Sequence, residues 1–328
     1  MQVRLVQPFR VVFYAPIEVA QLGGFLSAEG IELDVTIMES SPRYLEVLSR
    51  GDVDIAQGGP MRTMKAAETH PETELRNVAE VNSRSGFFLL SRTPPDPFQL
   101  ADLAGKELIT FSEAPTPWFC LQAVLHRHGI DSAQVRRLTD LPTPVAVEAF
   151  LSGRGDYLMQ TQPAVEQLVQ DGNAFICMAQ AEACGHLAFT SYITTANTLD
   201  TRPDMIERFI RAIYRTQQWM AQHSGAEIAE LVQPRFPDIP LGLLGDAITR
   251  FQDLRTWPDN PVMPRTGFDN LAEVLRLAGY LSTQPSYDAL VDTRIARRVV
   301  EASSTSAPDS DLLSKDSAER ETHPDGPG

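Results

Sequence analysis

The stretch GDVDIAQGGPMRT, residues 51–63, ends an apolar run on Gly58–Gly59 and sets Pro60 and Arg62 just beyond it. A glycine pair permits positive φ and lets another group approach the backbone closely. Proline suits the first turn of a helix. Strand, glycine turn and helix N-terminus in that order form a place where an anion can meet free N–H groups, with Arg62 at hand. The same residues also describe a plain strand-to-helix turn in which Arg62 pairs with an acidic neighbour or faces solvent.

Ligands of open α/β sheets sit outside the carboxyl ends of the strands, and four more segments end there. PFRVVFYAP offers Arg10 and Tyr14; the tyrosine can stack on a ligand, donate to it, or edge a core. NSRSG, 82–86, offers Ser83 and Arg84, or is an ordinary polar loop. FSEAPTPWFCL, 111–121, offers Ser112, Thr116 and Trp118. Its hydroxyls can cap the helix that follows or join backbone N–H groups around a carboxylate or sulfonate; Trp118 closes over a ligand or packs in a core. MQTQP, 159–163, offers Gln160 and Gln162 as partners for a polar ligand. Three arginines from three loops suggest an anion, because the planar guanidinium matches a carboxylate or sulfonate with two hydrogen bonds and is costly to bury unpaired. A separate chemistry is conceivable at Cys184 and His186, since a thiol beside an imidazole forms an activated nucleophile, although no third group that would orient them is visible. His126 and His128 lie two apart on a predicted helix and do not share a face, so no metal site is expected.

Strands and helices alternate along the chain. Residues 2–6, 11–14, 31–39 and 53–57 read as extended, with a helix from Pro16 to before Gly30 and others at 41–50 and 61–70. GFFLLSR is a strand, and prolines interrupt the pattern over 93–106. A second α/β unit runs from ELITF to AFICMAQ. HLAFTSYITTA is a strand able to return to the first sheet. TRPDMIERFIRAIYRTQQWMAQH is an amphipathic helix, with Ile206, Phe209, Ile210 and Ile213 on one face. Such alternation predicts α/β architecture with largely parallel sheets. From 303 the chain turns polar and rich in Pro, Gly and Ser, and is expected to be a disordered tail.

Bulk composition narrows the partners. The 328 residues are 43% hydrophobic, enough for two domains. A formal net charge of −15, with no basic run, argues against nucleic acid. No apolar stretch is long enough to cross a membrane. Three scattered cysteines do not make a disulfide framework; a Cys177–Cys184 bridge is conceivable, and free thiols are expected. MQVRLVQPFRVV lacks the layout of a secretory leader and reads as a first strand. A periplasmic location therefore requires that a leader was removed; otherwise the protein is cytoplasmic.

The segments YAPIEVAQLGGFLSAEGIELDV, YLEVLSRGDVDIAQGG, FQLADLAGKELIT, GIDSAQVRRL and AVEAFLSGRGDYLMQTQPAVEQL follow in an order that resembles the solute-binding proteins of nitrate, sulfonate and taurine type ABC transporters, and the related thiamine-pyrimidine synthases. The C-terminal stretches TWPDNPVMPRTGFDNLAEVLRLAGYL and YDALVDTRIARRVVEA extend the likeness, which covers about residues 2–302. The resemblance implies a type II periplasmic-binding-protein fold: two lobes joined by a hinge, with a ligand cleft between them. The segmentation above fits it, with lobe 1 at 1–90 and 188–302, lobe 2 at 91–187, and a hinge near Leu90–Thr93 and Gly185–Phe189. It also implies ligand contact at the Gly58–Gly59 turn, a small organic anion as ligand, an ABC permease as partner, no cofactor, and a monomer.

Two enzymatic relatives share the scaffold, and both pattern comparisons show departures. The synthases carry a cysteine-rich run and a histidine on the helix after the second strand's turn; here AEACGHLAFTSY has one cysteine and the helix carries Arg62. Aromatic sulfinate desulfinases place a catalytic cysteine before the first-loop proline; here Ala15 precedes Pro16. The expectation is a two-lobed binder delivering an anionic or amide-bearing organic solute, a sulfonate or carboxylate, to an importer. The alternative is a cytoplasmic enzyme of synthase, desulfinase or decarboxylase type on the same scaffold.

Overall fold

The computed structural model describes residues 1–38, 43–111 and 114–304. The tail expected from 303 lies outside these residues except for Ser303 and Ser304, which end the helix Arg294–Ser304. Among the described residues no helix is long and apolar enough to cross a membrane.

Ten strands form two five-stranded sheets: β1 (Gln2–Gln7), β2 (Glu32–Ile37), β3 (Ile55–Gly58), β4 (Leu75–Asn82), β5 (Phe87–Ser91), β6 (Glu107–Phe111), β7 (Arg136–Leu141), β8 (Tyr157–Thr161), β9 (Phe175–Ala179) and β10 (Thr190–Thr195). The first sheet has the order β2-β1-β3-β10-β4 and the second β7-β6-β8-β5-β9. In each, four strands run in one direction, as strands joined by helical crossovers do. One antiparallel strand then carries the chain across: β10 between β3 and β4, and β5 between β8 and β9. The result is the expected α/β fold of two lobes in the type II periplasmic-binding manner.

The boundary expected at Leu90–Thr93 falls earlier. Every residue of β5 is buried, and the strand hydrogen-bonds to β8 and β9 of the second sheet. The first crossing is therefore 83–86. FFLLS is apolar throughout, so its composition does not reveal which sheet receives it; the prolines after it mark only a loop. Residues 185–189 join the helix Gln180–Cys184 to β10 of the first sheet. The two crossings bond to each other, the Leu187 N–H donating to the Ser83 carbonyl at 2.8 Å and the Phe189 N–H to Asn82 at 3.0 Å. Two local readings also change. Val12–Tyr14, expected to be extended, forms one 3-10 turn. The helix from Pro16 is split into Ala15–Leu22 and Phe25–Ala28, because Gly24 takes the left-handed conformation at φ 76°.

Phe13 ties this region together. Its carbonyl accepts hydrogen bonds from Asn82 Nδ2 at 3.0 Å and Trp257 Nε1 at 3.1 Å. Its ring meets Phe189 and Phe251 with centroids 5.5 Å away, and Phe87 of the second lobe at 6.4 Å. Gly86 makes room for it: a Cβ there would stand 2.4 Å from the ring.

Away from the crossings the lobes touch along two seams. On one, Arg127 donates to Asn270 and Glu273, and Phe119 packs on Tyr280 at 5.1 Å. On the other, Arg250 of the helix Leu241–Asp253 forks onto both oxygens of Glu166 at 2.6 and 2.8 Å. The structure is thus a closed arrangement.

Two predictions follow from these contacts. Gly86→Ala must displace Phe13, and overpacking of this kind costs about 1–3 kcal/mol; urea unfolding will read it as a lower midpoint. The Arg250 hydrogen bonds hold the Glu166 carboxyl below its ordinary range, with burial opposing them. A depressed carboxyl contributes fully above its unfolded value of ~4.3 and loses the contribution as pH falls through the folded value. Scattering should therefore show the radius of gyration growing below about pH 4, and Glu166→Gln should show the expanded form already at pH 7.

Candidate functional site

The glycine turn at the end of β3 has a different tenant from a ligand. Neither Gly58 nor Gly59 takes positive φ; Gly59 sits at φ −73° and precedes the helix Pro60–Thr69 with no side-chain cap. Instead, the Tyr44 phenol lies on Gly58, and a Cβ there would be 2.1 Å from its hydroxyl oxygen. At Gly59 an added Cβ would meet nothing closer than 3.4 Å. Gly58 is thus required by Tyr44, whereas nothing at Gly59 demands a glycine.

Arg62 stands over this turn, half-buried, its guanidinium 5.7 Å from the Tyr44 ring centre. Among the described residues no carboxylate lies within ion-pair distance of it. Three phenols feel its charge. Tyr14 is pushed up to about 12 by burial, while its hydrogen bond with Thr190 and the charge of Arg62 act the other way. Burial likewise raises Tyr44 and Tyr280, and Arg62 opposes both shifts. All three are neutral donors near pH 7. The Tyr44 hydroxyl is buried and has no partner.

From the second lobe, Thr116 begins the helix Thr116–Arg127 and donates its hydroxyl hydrogen to Met61 Sδ at 2.7 Å, directly beside Arg62. Gln160 near the end of β8 is 1% exposed; its carbonyl oxygen accepts the Thr161 N–H, and its Nε2 has no partner. Ser112 lies outside the described residues.

The other expected residues are occupied elsewhere. Arg10 bonds Glu18 at 3.1 Å, and Arg235 holds the other oxygen of that carboxylate at 3.1 Å. Arg84 donates to the Ala181 carbonyl, and Ser83 to carbonyls of Arg255 and Thr256; both anchor the first crossing. Trp118 packs with Leu89, Leu108 and Met159 in the second lobe's core and carries Arg137 on its face at 4.4 Å. Gln162 donates to Glu166 Oε2 and accepts the Glu166 N–H, so it aims that carboxylate at Arg250. Of the three expected arginines, Arg10 is therefore ion-paired, whereas Arg62 and Arg84 have no carboxylate partner among the described residues.

Cys184 and His186 do not face one another as a pair. The Cys184 thiol is buried against Cys120, whose hydrogen bond lowers it while raising Cys120. His186 Nε2 instead meets Glu80 at 3.2 Å, the orienting partner that sequence alone did not supply. Cys177 is likewise a free thiol.

Residues missed from the sequence are Tyr44, Gln7, Gln57 and Tyr192. Each is fully buried with polar atoms that have no partner: both amide atoms of each glutamine and both hydroxyls. The signal was a glutamine closing each of two apolar strands, QVRLVQ and IAQG.

The Tyr44–Gly58 contact is open to a double-mutant cycle. Gly58→Ala should destabilise by about 1–3 kcal/mol. In a Tyr44→Ala background the added cost should shrink below about 0.5 kcal/mol. Chemical unfolding of the four proteins measures both.

A family model described as "NMT1/THI5 like" matches residues 13–226. "Putative binding protein YtlA" of Bacillus subtilis (strain 168) is 24% identical over 299 residues, covering 91% of this chain and 90% of that protein. Among solved structures, the alkanesulfonate-binding protein SsuA from Xanthomonas axonopodis pv. citri bound to MOPS superimposes with a TM-score of 0.68 at 16% identity, over 89% of this chain and 98% of that one. The desulfurization enzyme DSZB superimposes at 0.65 and 16% identity, over 92% and 99%. With 13–226 spanning most of both lobes, this chain belongs to the NMT1/THI5-like family.

Proposed function

We propose that this protein is a solute-binding protein that closes its two lobes on a small organic anion and serves an ABC-type importer. The observation that carries the reading is Arg62: a half-buried cation in the first turn after β3 with no carboxylate partner among the described residues, set over the Tyr44 ring and close enough for its charge to act on Tyr14 and Tyr280. A desolvated guanidinium without counter-charge is unfavourable until an anion supplies one. The neutral phenols add donors that an anion accepts. The binding proteins among the similar chains, one of them named for alkanesulfonates, agree in kind.

The enzyme reading, raised by the likeness to DSZB, lacks a cysteine at the first-loop position. Cys120 and Cys184 are buried in the second lobe, and position 15, before the first-loop proline, is alanine.

Titration calorimetry with the series from ethanesulfonate to pentanesulfonate tests the proposal. Binding is expected at one site, and Arg62→Met should weaken it at least about tenfold, since hydrogen bonds to charged groups contribute ~1.5–3 kcal/mol. Equal affinity in the variant would remove Arg62 from the site.

A further inference from the structure

Beside the Arg62 site lies a set of polar atoms that the anion does not explain. β1 and β3 run parallel with Leu5 beside Ile55 and Val6 beside Ala56, so the next rung sets Gln7 beside Gln57. Tyr192 of β10 is paired with Gln57 on the other side. The three side chains share the sheet face of Leu5 and Ile55, which is covered by helices; Phe209 of the helix Pro203–Gln222 meets the Tyr192 ring at 4.8 Å. All three residues are 0% exposed. Four carboxamide atoms and one hydroxyl have no partner. Native interiors leave few such atoms unmade, and each costs about 1–3 kcal/mol when orphaned. Five such atoms lie together, at the carboxyl ends of β1 and β3 and the facing amino-terminal half of β10.

The set is continuous with the anion site. Gln57 directly precedes Gly58–Gly59. Tyr14, which feels the charge of Arg62, bonds Thr190 two residues before Tyr192, and Tyr192 in turn feels Tyr14 and Glu18. Glu18 is 3% exposed and holds Arg10 and Arg235, so neither arginine is offered to a ligand at this end. The two ends of the site therefore differ in kind. One is cationic and takes an anion. The other presents uncharged paired donors and acceptors, which suit a neutral polar group.

We propose that Gln7, Gln57 and Tyr192 form a second subsite that receives an amide or urea group of the ligand, so that the solute is an anion carrying an N–H donor next to a carbonyl acceptor. The proposal rests on the Arg62 reading. A carboxamide satisfies such a group with both its atoms at once. A plain alkyl tail leaves the glutamines orphaned, and sites built for hydrogen bonds reject ligands lacking them.

Two measurements decide it. Thermal unfolding of the ligand-free protein is compared with Gln7→Met, Gln57→Met and the double variant. Amides kept for a ligand add nothing to the empty fold, so the midpoint should hold or rise. A fall of more than about 3 °C would mean that the glutamines serve the fold, through buried water or each other, and would overturn the proposal. Affinity is then measured for N-acetyltaurine and pentanesulfonate, which share chain length and sulfonate but differ in the amide. N-acetyltaurine should bind at least about tenfold tighter, the preference should vanish in Gln57→Met, and Arg62→Met should weaken both probes. Equal, Arg62-dependent binding of the two overturns the amide subsite and leaves the anion site standing. Binding of neither contradicts the anion reading, and the unfolding comparison alone then judges the glutamines.

Discussion

The structure depends on how one backbone carbonyl and one ring are held at the end of the first strand. The Phe13 carbonyl takes hydrogen bonds from Asn82 and Trp257, and its ring packs against Gly86, Phe87, Phe189 and Phe251. Those partners come from the last residue of β4, the first crossing, the first residue of β5, the return crossing and the C-terminal helices. Phe13 therefore sits where both lobes and both crossings meet. It also fixes its neighbour: Tyr14 can reach Thr190 and Arg62 only because the 3-10 turn over Val12–Tyr14 is pinned on this side. A contact that sets the hinge thus also sets the site.

Charge is distributed so that Arg62 is spared a carboxylate partner among the described residues. Arg10 and Arg235 are spent on Glu18, Arg250 on Glu166, and Arg4 and Arg202 on Asp54. Each pair satisfies a carboxylate that is itself 8% exposed or less, and buried carboxylates need such partners. In a chain of net charge −15 this uses up most cations near the fold's centre. Arg62 escapes because its surroundings are aromatic and phenolic, with the Tyr44 ring beneath it. Across the Glu166–Arg250 and Arg127–Glu273 seams the other lobe brings Thr116 onto Met61, the residue before Arg62.

The α/β class, the return of HLAFTSYITTA to the first sheet and the helix at 203–222 were legible from periodicity. The Gly58–Gly59 turn was legible as a strand-to-helix turn, but the reason for Gly58 was not. Gly58 is glycine because of Tyr44, which lies fourteen positions earlier on another element, and no local pattern carries that contact. The same limit explains Arg10 and Arg84. An arginine in a loop looks available until Glu18 or the Ala181 carbonyl is found beside it. Trp118 was equally a core or a cleft residue by type, and packing placed it in the core. Gln7 and Gln57 were passed over because a glutamine ending a strand looks like solvent-facing polarity; only burial without partners reveals otherwise.

The central claim is that Arg62 holds an organic anion between the lobes, and native mass spectrometry addresses it most directly. Wild type and the Arg62→Met variant are each incubated with a small-molecule extract of cells, desalted, and any retained molecule is released and identified by fragmentation. The account predicts one acidic small molecule per wild-type chain and none on the variant. A molecule retained equally by both proteins, a retained molecule without an acidic group, or a wild type that emerges bare contradicts it.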